Sequence, residues 1–144
     1  MPARTSSPPS SLTKTDYETL AEFRYALRLF LHFSEEAATQ AGLAPQQHQA
    51  LLAIQGFPGR DRISIGELAE RLQIRHHSAV GLVDRLEKEG WVKRLASPDD
   101  ARKVLIAVTA RGLRLLATLS TAHRQELRRI GPSFRAVLDR LIAP

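Results

Sequence analysis

Arg75, His76, His77 and Ser78 stand in succession, and Val80, Gly81 and Arg85 follow within ten residues. Imidazole and hydroxyl groups exchange hydrogen bonds with base edges, and a guanidinium can pair bidentately with guanine. A second polar group, Asp99, Asp100, Arg102 and Lys103, follows Ser97-Pro98 in a turn pattern. An arginine at such a tip is drawn to the negative potential of a minor groove. An aspartate there is unsuited to phosphates, so Asp100 is expected to hold Arg102 or brace the turn. Taken alone, this second group also reads as an ordinary polar turn. Adjacent histidines make a poor metal site, because neighbouring positions on a helix point in different directions. No metal or other cofactor is expected. Catalysis lacks its parts: there is no cysteine, no Gly-rich phosphate loop and no H-x-x-x-H pattern. No nucleophile stands with a base, so an enzyme is not expected.

The chain has 144 residues, the size of one ordinary domain. Absence of cysteine excludes disulfides, thiolate metal clusters and a cysteine redox sensor. No apolar run approaches the roughly 18 residues that span a bilayer. The N-terminus lacks the apolar region of a signal peptide, so a cytoplasmic location without a membrane partner is expected. The net charge of +6 makes a polyanion a plausible partner. That charge is uneven: residues 1–59 carry −1, residues 60–111 carry +3 and residues 112–144 carry +4.

The elements that would position these groups follow from periodicity and punctuation. Residues 1–14, rich in Ser, Pro and Thr, read as a disordered arm. Thr15 and Glu18 have capping-box spacing before a long helix that Gly42 stops. Pro45 suits the first turn of a second helix, to about Ile54. Ser64 and Glu67 form a further capping box, with Ile63 and Leu68 as staple, for a short third helix ending near Leu72. A fourth runs from His76 to Glu89, with Ala79, Leu82, Val83 and Leu86 as its apolar stripe. Residues near its start that lie off the stripe must face away from the core. Trp91–Leu95 and Lys103–Val108 read as a two-stranded hairpin. Thr109 caps a long helix to Ile130, where Gly131-Pro132 should stop it, and a last short helix covers Ser133–Ile142. The order is a helix-turn-helix followed by a wing.

The runs LQIRHHSAVGLVDRLE (72–87), GWVKR (90–94), SPDDAR (97–102) and VTARG (108–112) resemble the MarR family of transcription regulators. The resemblance extends from Asp16 to Ile142. It implies a mainly α fold: a dimeric winged helix-turn-helix with a two-stranded wing and N- and C-terminal dimerisation helices. By it, residues 15–144 form one domain, with a DNA-binding lobe over 56–109 and dimerisation helices over 15–42 and 110–144. The fourth helix would read the major groove of double-stranded DNA and Arg102 would enter the minor groove. The DNA-contacting set is then Arg75, His76, His77, Ser78, Val80, Gly81, Arg85, Arg94, Asp100, Arg102 and Lys103. Many members carry Ser or Thr where this chain has Arg75, His77 and Val80, so an operator sequence does not carry over.

Leu113, Leu116, Ser120, His123, Leu127 and Ile130 step by three and four, like a coiled-coil seam. With the wide stripe of the first helix this is more apolar surface than a small core covers, and a homodimer would bury it. The resemblance also implies an effector pocket, often for a small aromatic or phenolic anion, which Arg28, His32 or His48 could receive. The alternative for those three is surface or satisfied interior residues. The expected function is a sequence-specific regulator, a repressor released by an effector. The alternative is a winged-helix module that binds protein instead of DNA, since fold does not fix function.

Overall fold

A computed structural model describes residues 11–144. The helices are α1 (Lys14–Gln40), α2 (Pro45–Gln55), α3 (Ile65–Leu72), α4 (His76–Lys88) and α5 (Ala110–Ile142). The strands are β1 (Arg62–Ile63), β2 (Val92–Ala96) and β3 (Val104–Val108). The chain divides into two compact units: Phe33–Arg124, and the outer parts of α1 and α5, up to His32 and from Gln125. Most of the expected disordered arm lies outside the described residues, but its last residue, Lys14, already belongs to α1.

Local chemistry sets each boundary. The cap of α1 is formed by Thr13 and Asp16, not Thr15 and Glu18. The Thr13 N–H donates to Asp16 Oδ2 at 2.8 Å and the Asp16 N–H to Thr13 Oγ1 at 3.2 Å. Capping two residues earlier puts Thr15 inside the helix, where its carbonyl accepts from the Thr19 hydroxyl. At the other end Gly42 takes φ +87°, and the Leu43 N–H reaches back to the Ala38 carbonyl at 2.9 Å. That is the left-handed stop glycine favours. In α3 the expected capping box is present: the Glu67 N–H meets Ser64 Oγ and the Ser64 N–H meets Glu67 Oε1, both at 3.1 Å. The turn from α3 to α4 passes through Gln73 at φ 54°. Its amide nitrogen holds the Glu70 carbonyl at 2.7 Å, which offsets part of the left-handed strain of about 1 kcal/mol.

The hairpin of β2 and β3 is antiparallel, with Val92 opposite Val108 and Ala96 opposite Val104. A third strand joins it. β1 pairs with β3 on the far side, placing Ile63 opposite Ile106 in the sheet order β1-β3-β2. Both isoleucines are fully buried. They join Leu51, Ile54, Leu68, Leu82 and Leu86 in the core of the 33–124 unit.

One expectation fails outright. The last two helices are a single helix, with Pro132 in its interior. Proline lacks the N–H that would bond the carbonyl of residue 128, a penalty of about 3 kcal/mol in an unsupported helix. Packing beyond the proline supplies the support: Phe134 stacks on Phe23 with ring centroids 5.5 Å apart, and Val137 is buried.

At the start of α5 the helix backbone lies directly against Trp91, the residue before β2. A Cβ on Gly112 would sit 2.4 Å from the Trp91 carbonyl oxygen and 2.7 Å from Val108 Cγ1, whereas one on Gly131 would meet nothing within 4 Å. Gly112→Ala is therefore expected to lower unfolding stability by about 1–3 kcal/mol, the range for overpacking. Gly131→Ala, on the same helix, should raise it by about 0.5–1 kcal/mol. Thermal denaturation of both variants checks the pair.

Candidate nucleic-acid interface

The rotation of α4 is set by its stripe: Ala79, Leu82, Val83 and Leu86 are all buried. Arg75, His76, His77 and Ser78 consequently face solvent at the N-terminal end, as does Arg85 further along. Val80 and Gly81 are half-buried at the margin. Arg75 takes the N-cap position in extended conformation and makes no side-chain cap bond. A Cβ on Gly81 would meet only Arg85 Nη1, at an ordinary 3.8 Å. Nothing inside the fold requires glycine there.

Arg94 is used differently from its neighbours. From β2, its Nη1 donates to Glu87 Oε1 at 2.7 Å and its Nη2 to Asp84 Oδ1 at 2.6 Å. Its backbone N–H also reaches Glu87 Oε2. The Asp84 hydrogen bond, with Glu87 beside it, holds the guanidinium pKa above its ordinary value despite some burial. Two carboxylates of α4 thus clamp the wing to the helix, and the Arg94 charge is occupied within the fold.

At the wing tip, Asp100 Oδ1 accepts both the Arg102 N–H (3.0 Å) and its Nε–H (3.3 Å). The two alternatives for Asp100 therefore coexist: it braces the turn and holds the Arg102 stem. The Arg102 side chain is 93% exposed beyond that anchor. Lys103 is also exposed and lines an open hollow with Arg60, Arg62, Ser64 and Asp100. Arg60 and Arg62 are basic groups beside the wing that sequence reading passed over. The signal available was their spacing around Asp61. Arg60 is engaged by Glu67 and, with Arg71, packs on the Phe57 ring at 4.7 and 4.8 Å.

The three effector candidates are not equivalent. Arg28 and His32 are exposed on α1. His48 is buried on α2, its ring centroid 4.9 Å from that of His123. Burial, then the neighbouring His123, holds its pKa below the ordinary value. His48 is a core histidine, which was the alternative reading of it. His123, placed by its spacing in a seam, instead holds the Leu119 carbonyl and Ser34 hydroxyl.

A MarR family profile matches residues 41–103, from the end of α1 to the wing. AbsC, a MarR family transcriptional regulator from Streptomyces coelicolor, superposes with TM-score 0.73 over 94% of this chain and 95% of its own, at 23% identity. Residues 41–103 are thus similar to the MarR family, and the fold is shared with AbsC. A MarR mutant from E. coli, solved with operator DNA, shares the fold with TM-score 0.64 over 93% of this chain and 100% of its own, at 20% identity. The transcriptional activatory protein BadR of Rhodopseudomonas palustris is 31% identical over 68% of this chain. The match spans 62% of BadR, so the chain covers less than two thirds of that relative's length. Among the described residues, no three His, Asp or Glu side chains are grouped to hold a metal ion. No described helix is long and apolar enough to cross a membrane.

The clamp makes a stability prediction. Arg94→Met keeps the apolar stem but removes both ion pairs, and should cost about 1 kcal/mol, as for partly exposed pairs. The deficit should shrink between roughly 0.1 M and about 1 M NaCl, where screening shortens to about 3 Å. Chemical denaturation at the two salt concentrations reads it.

Proposed function

We propose that this chain binds a pseudo-palindromic operator as a homodimer, with the N-terminal face of α4 reading bases in the major groove. The observation that carries the reading is the exposed row Arg75, His76, His77 and Ser78, set by the buried stripe behind it. In a helix-turn-helix the first residues of the second helix reach base edges. Val80 adds an apolar group suited to a thymine methyl, and Arg85 a phosphate partner along the helix. Arg102 takes the minor-groove or backbone contact, anchored by Asp100, with Lys103 beside it. Arg94 contributes through the clamp, orienting the wing.

The homodimer is supported by apolar side chains on the terminal helices that this chain leaves exposed, among them Tyr17, Leu20 and Ile142. Covering such side chains in an interface between two copies would remove them from water. Release by a small aromatic or phenolic anion belongs to the same reading, with Arg28 and His32 as its solvent-facing partners. Repression would follow where the operator overlaps a promoter, so operator position decides the sign of regulation. A cytoplasmic location goes with this role.

Selection of bound duplexes from a random pool tests the reading directly. Two half-sites about one helical turn apart are expected, with affinity falling steeply as salt rises. Salt-insensitive binding, or none, would favour the protein-binding alternative. His76→Ala, His77→Ala and Ser78→Ala should alter base preference by about 1–3 kcal/mol at one or two positions per half-site. Profiles identical to the parent would remove α4 as the reader. Arg102→Ala should instead weaken all sites alike and flatten the salt dependence by about one counterion. An unchanged affinity would take the wing off the contact surface.

A further inference from the structure

Among the described residues, the buried polar or charged side chains are Gln47 and His48, neighbours in the first turn of α2. They engage different elements. Gln47 Nε2 donates to Glu89 Oε2 at 3.0 Å, just past the end of α4. The same carboxylate oxygen accepts the Trp91 Nε1–H at 3.2 Å. Arg111 closes this corner, lying 4.0 Å over the Trp91 ring and donating to the Glu89 carbonyl at 2.5 Å. Gln47 also caps its own helix, since its Oε1 accepts the Ala44 N–H at 2.9 Å. Movement of the first turn of α2 would therefore reach the end of the reader helix through one side chain.

His48 packs against His123 of α5, with the rings tilted by 41°. His123 Nδ1 lies 2.6 Å from the Leu119 carbonyl and Nε2 lies 2.8 Å from Ser34 Oγ. The carbonyl only accepts, so His123 Nδ1 carries a proton, and Nε2 shares a second hydrogen bond with the Ser34 hydroxyl. Two charged imidazoles at this separation repel, and burial opposes even one. From α1 the pair meets the Ser34 hydroxyl and the Phe33 ring, the latter edge-on to His123 at 5.4 Å. From α5 it meets the Leu119 carbonyl, and on α2 it adjoins Gln47, already committed to Glu89. The titratable groups nearest along these elements are Glu35 and Glu36 of α1 and Arg124 of α5. Glu36 is itself engaged in an interaction.

We propose that the His48–His123 pair is a proton-operated latch that, through Gln47, loosens the Glu89–Trp91 corner behind the reader helix as the medium acidifies. A proton on the pair is relieved when His48 withdraws and the first turn of α2 shifts, which breaks the Gln47–Glu89 bond. The direction follows from the depressed His48 value. The closed state binds fewer protons than the open one, so closure is complete above the ordinary value of 6.5 and is lost as pH falls below it. The effect on DNA rests on the reading of α4 above; the effect on the corner does not.

The chain has one tryptophan, Trp91, so its fluorescence reports the corner without DNA. Titrating the full chain from about pH 8 to about pH 5 should give one fluorescence step with its midpoint below the ordinary histidine value of about 6.5. The step should vanish in His48→Gln and persist when His76 and His77 are both replaced by alanine. No step in the parent, or an undiminished step in His48→Gln, would overturn the latch. If His48→Gln fails to fold by circular dichroism, Gln47→Ala decides. The histidine titration followed by NMR should survive there while the Trp91 step disappears, and a surviving step would refute the coupling. On a selected operator duplex, the affinity of His48→Gln relative to the parent should rise from unity at about pH 7.5 to severalfold above it at about pH 5.5. The ratio cancels titration of His76 and His77. A ratio fixed at unity would overturn the regulatory role. Absence of DNA binding in every form would instead overturn the reading of α4, with the fluorescence step still supporting the latch.

Discussion

The burial of four aliphatic side chains on one face of α4 is the constraint on which the candidate interface depends. With Ala79, Leu82, Val83 and Leu86 removed from water, the helix has one rotation available. Turning it by a quarter would expose two of these side chains at about 1.5–3 kcal/mol for each larger one. It would also bury Ser78 or the histidines without partners. Everything a ligand meets on that helix is then settled by default. The exposed row is whatever the stripe does not claim, and its specificity lies in residue identity within a fixed frame.

A second layer keeps that frame attached to the rest of the 33–124 unit. The Arg94 clamp joins α4 to β2 by two carboxylates on the helix. The Gly90–Trp91 corner joins both to α5, because the Thr109 hydroxyl reaches the Gly90 carbonyl at 2.7 Å and Gly112 lets the helix backbone approach Trp91. Gln47 then ties the same corner to α2. These contacts are directional where the core contacts are not. They fix orientation, while the aliphatic core supplies most of the favourable free energy.

What was legible in the sequence divides along the range of the interaction responsible. The α4 stripe, the Ser64–Glu67 capping box, the Gly42 stop and the hairpin are local patterns, and all are present. The misses are nonlocal. β1 has two residues, too few for any alternation, and exists because Ile63 finds Ile106 more than forty positions away. Pro132 reads as a stop by every local rule, yet the helix continues through it, with Phe134 beyond it stacked on Phe23. Thr13 and Thr15 both present capping-box spacing, and local pattern alone does not choose between them. His48 is one polar residue in an amphipathic helix. Its burial against His123 depends on α5, more than seventy positions later. Arg94 looked like a free cation because its two carboxylates face it only once the wing folds back on α4.

That last case bears on how net charge should be used. The excess of +6 suggests a polyanion partner, but it does not locate the contact. Arg60, Arg94 and Arg129 are engaged by carboxylates, and Arg111 lies over Trp91. The last segment of the chain is the most basic, and it supplies none of the candidate reading residues. The N-terminal row of α4 carries only Arg75 as a fixed charge, followed by two imidazoles and a hydroxyl. A surface so composed gains less from counterion release than a lysine-rich one. It offers instead donors and acceptors at defined positions, and those discriminate between base edges. Under the proposed function, the general electrostatic attraction falls to the wing and its surroundings, where Arg62 and Lys103 line one hollow and Arg102 stands exposed. In that proposal attraction and reading are separated on this lobe, with the clamp between β2 and α4 joining the two elements that carry them.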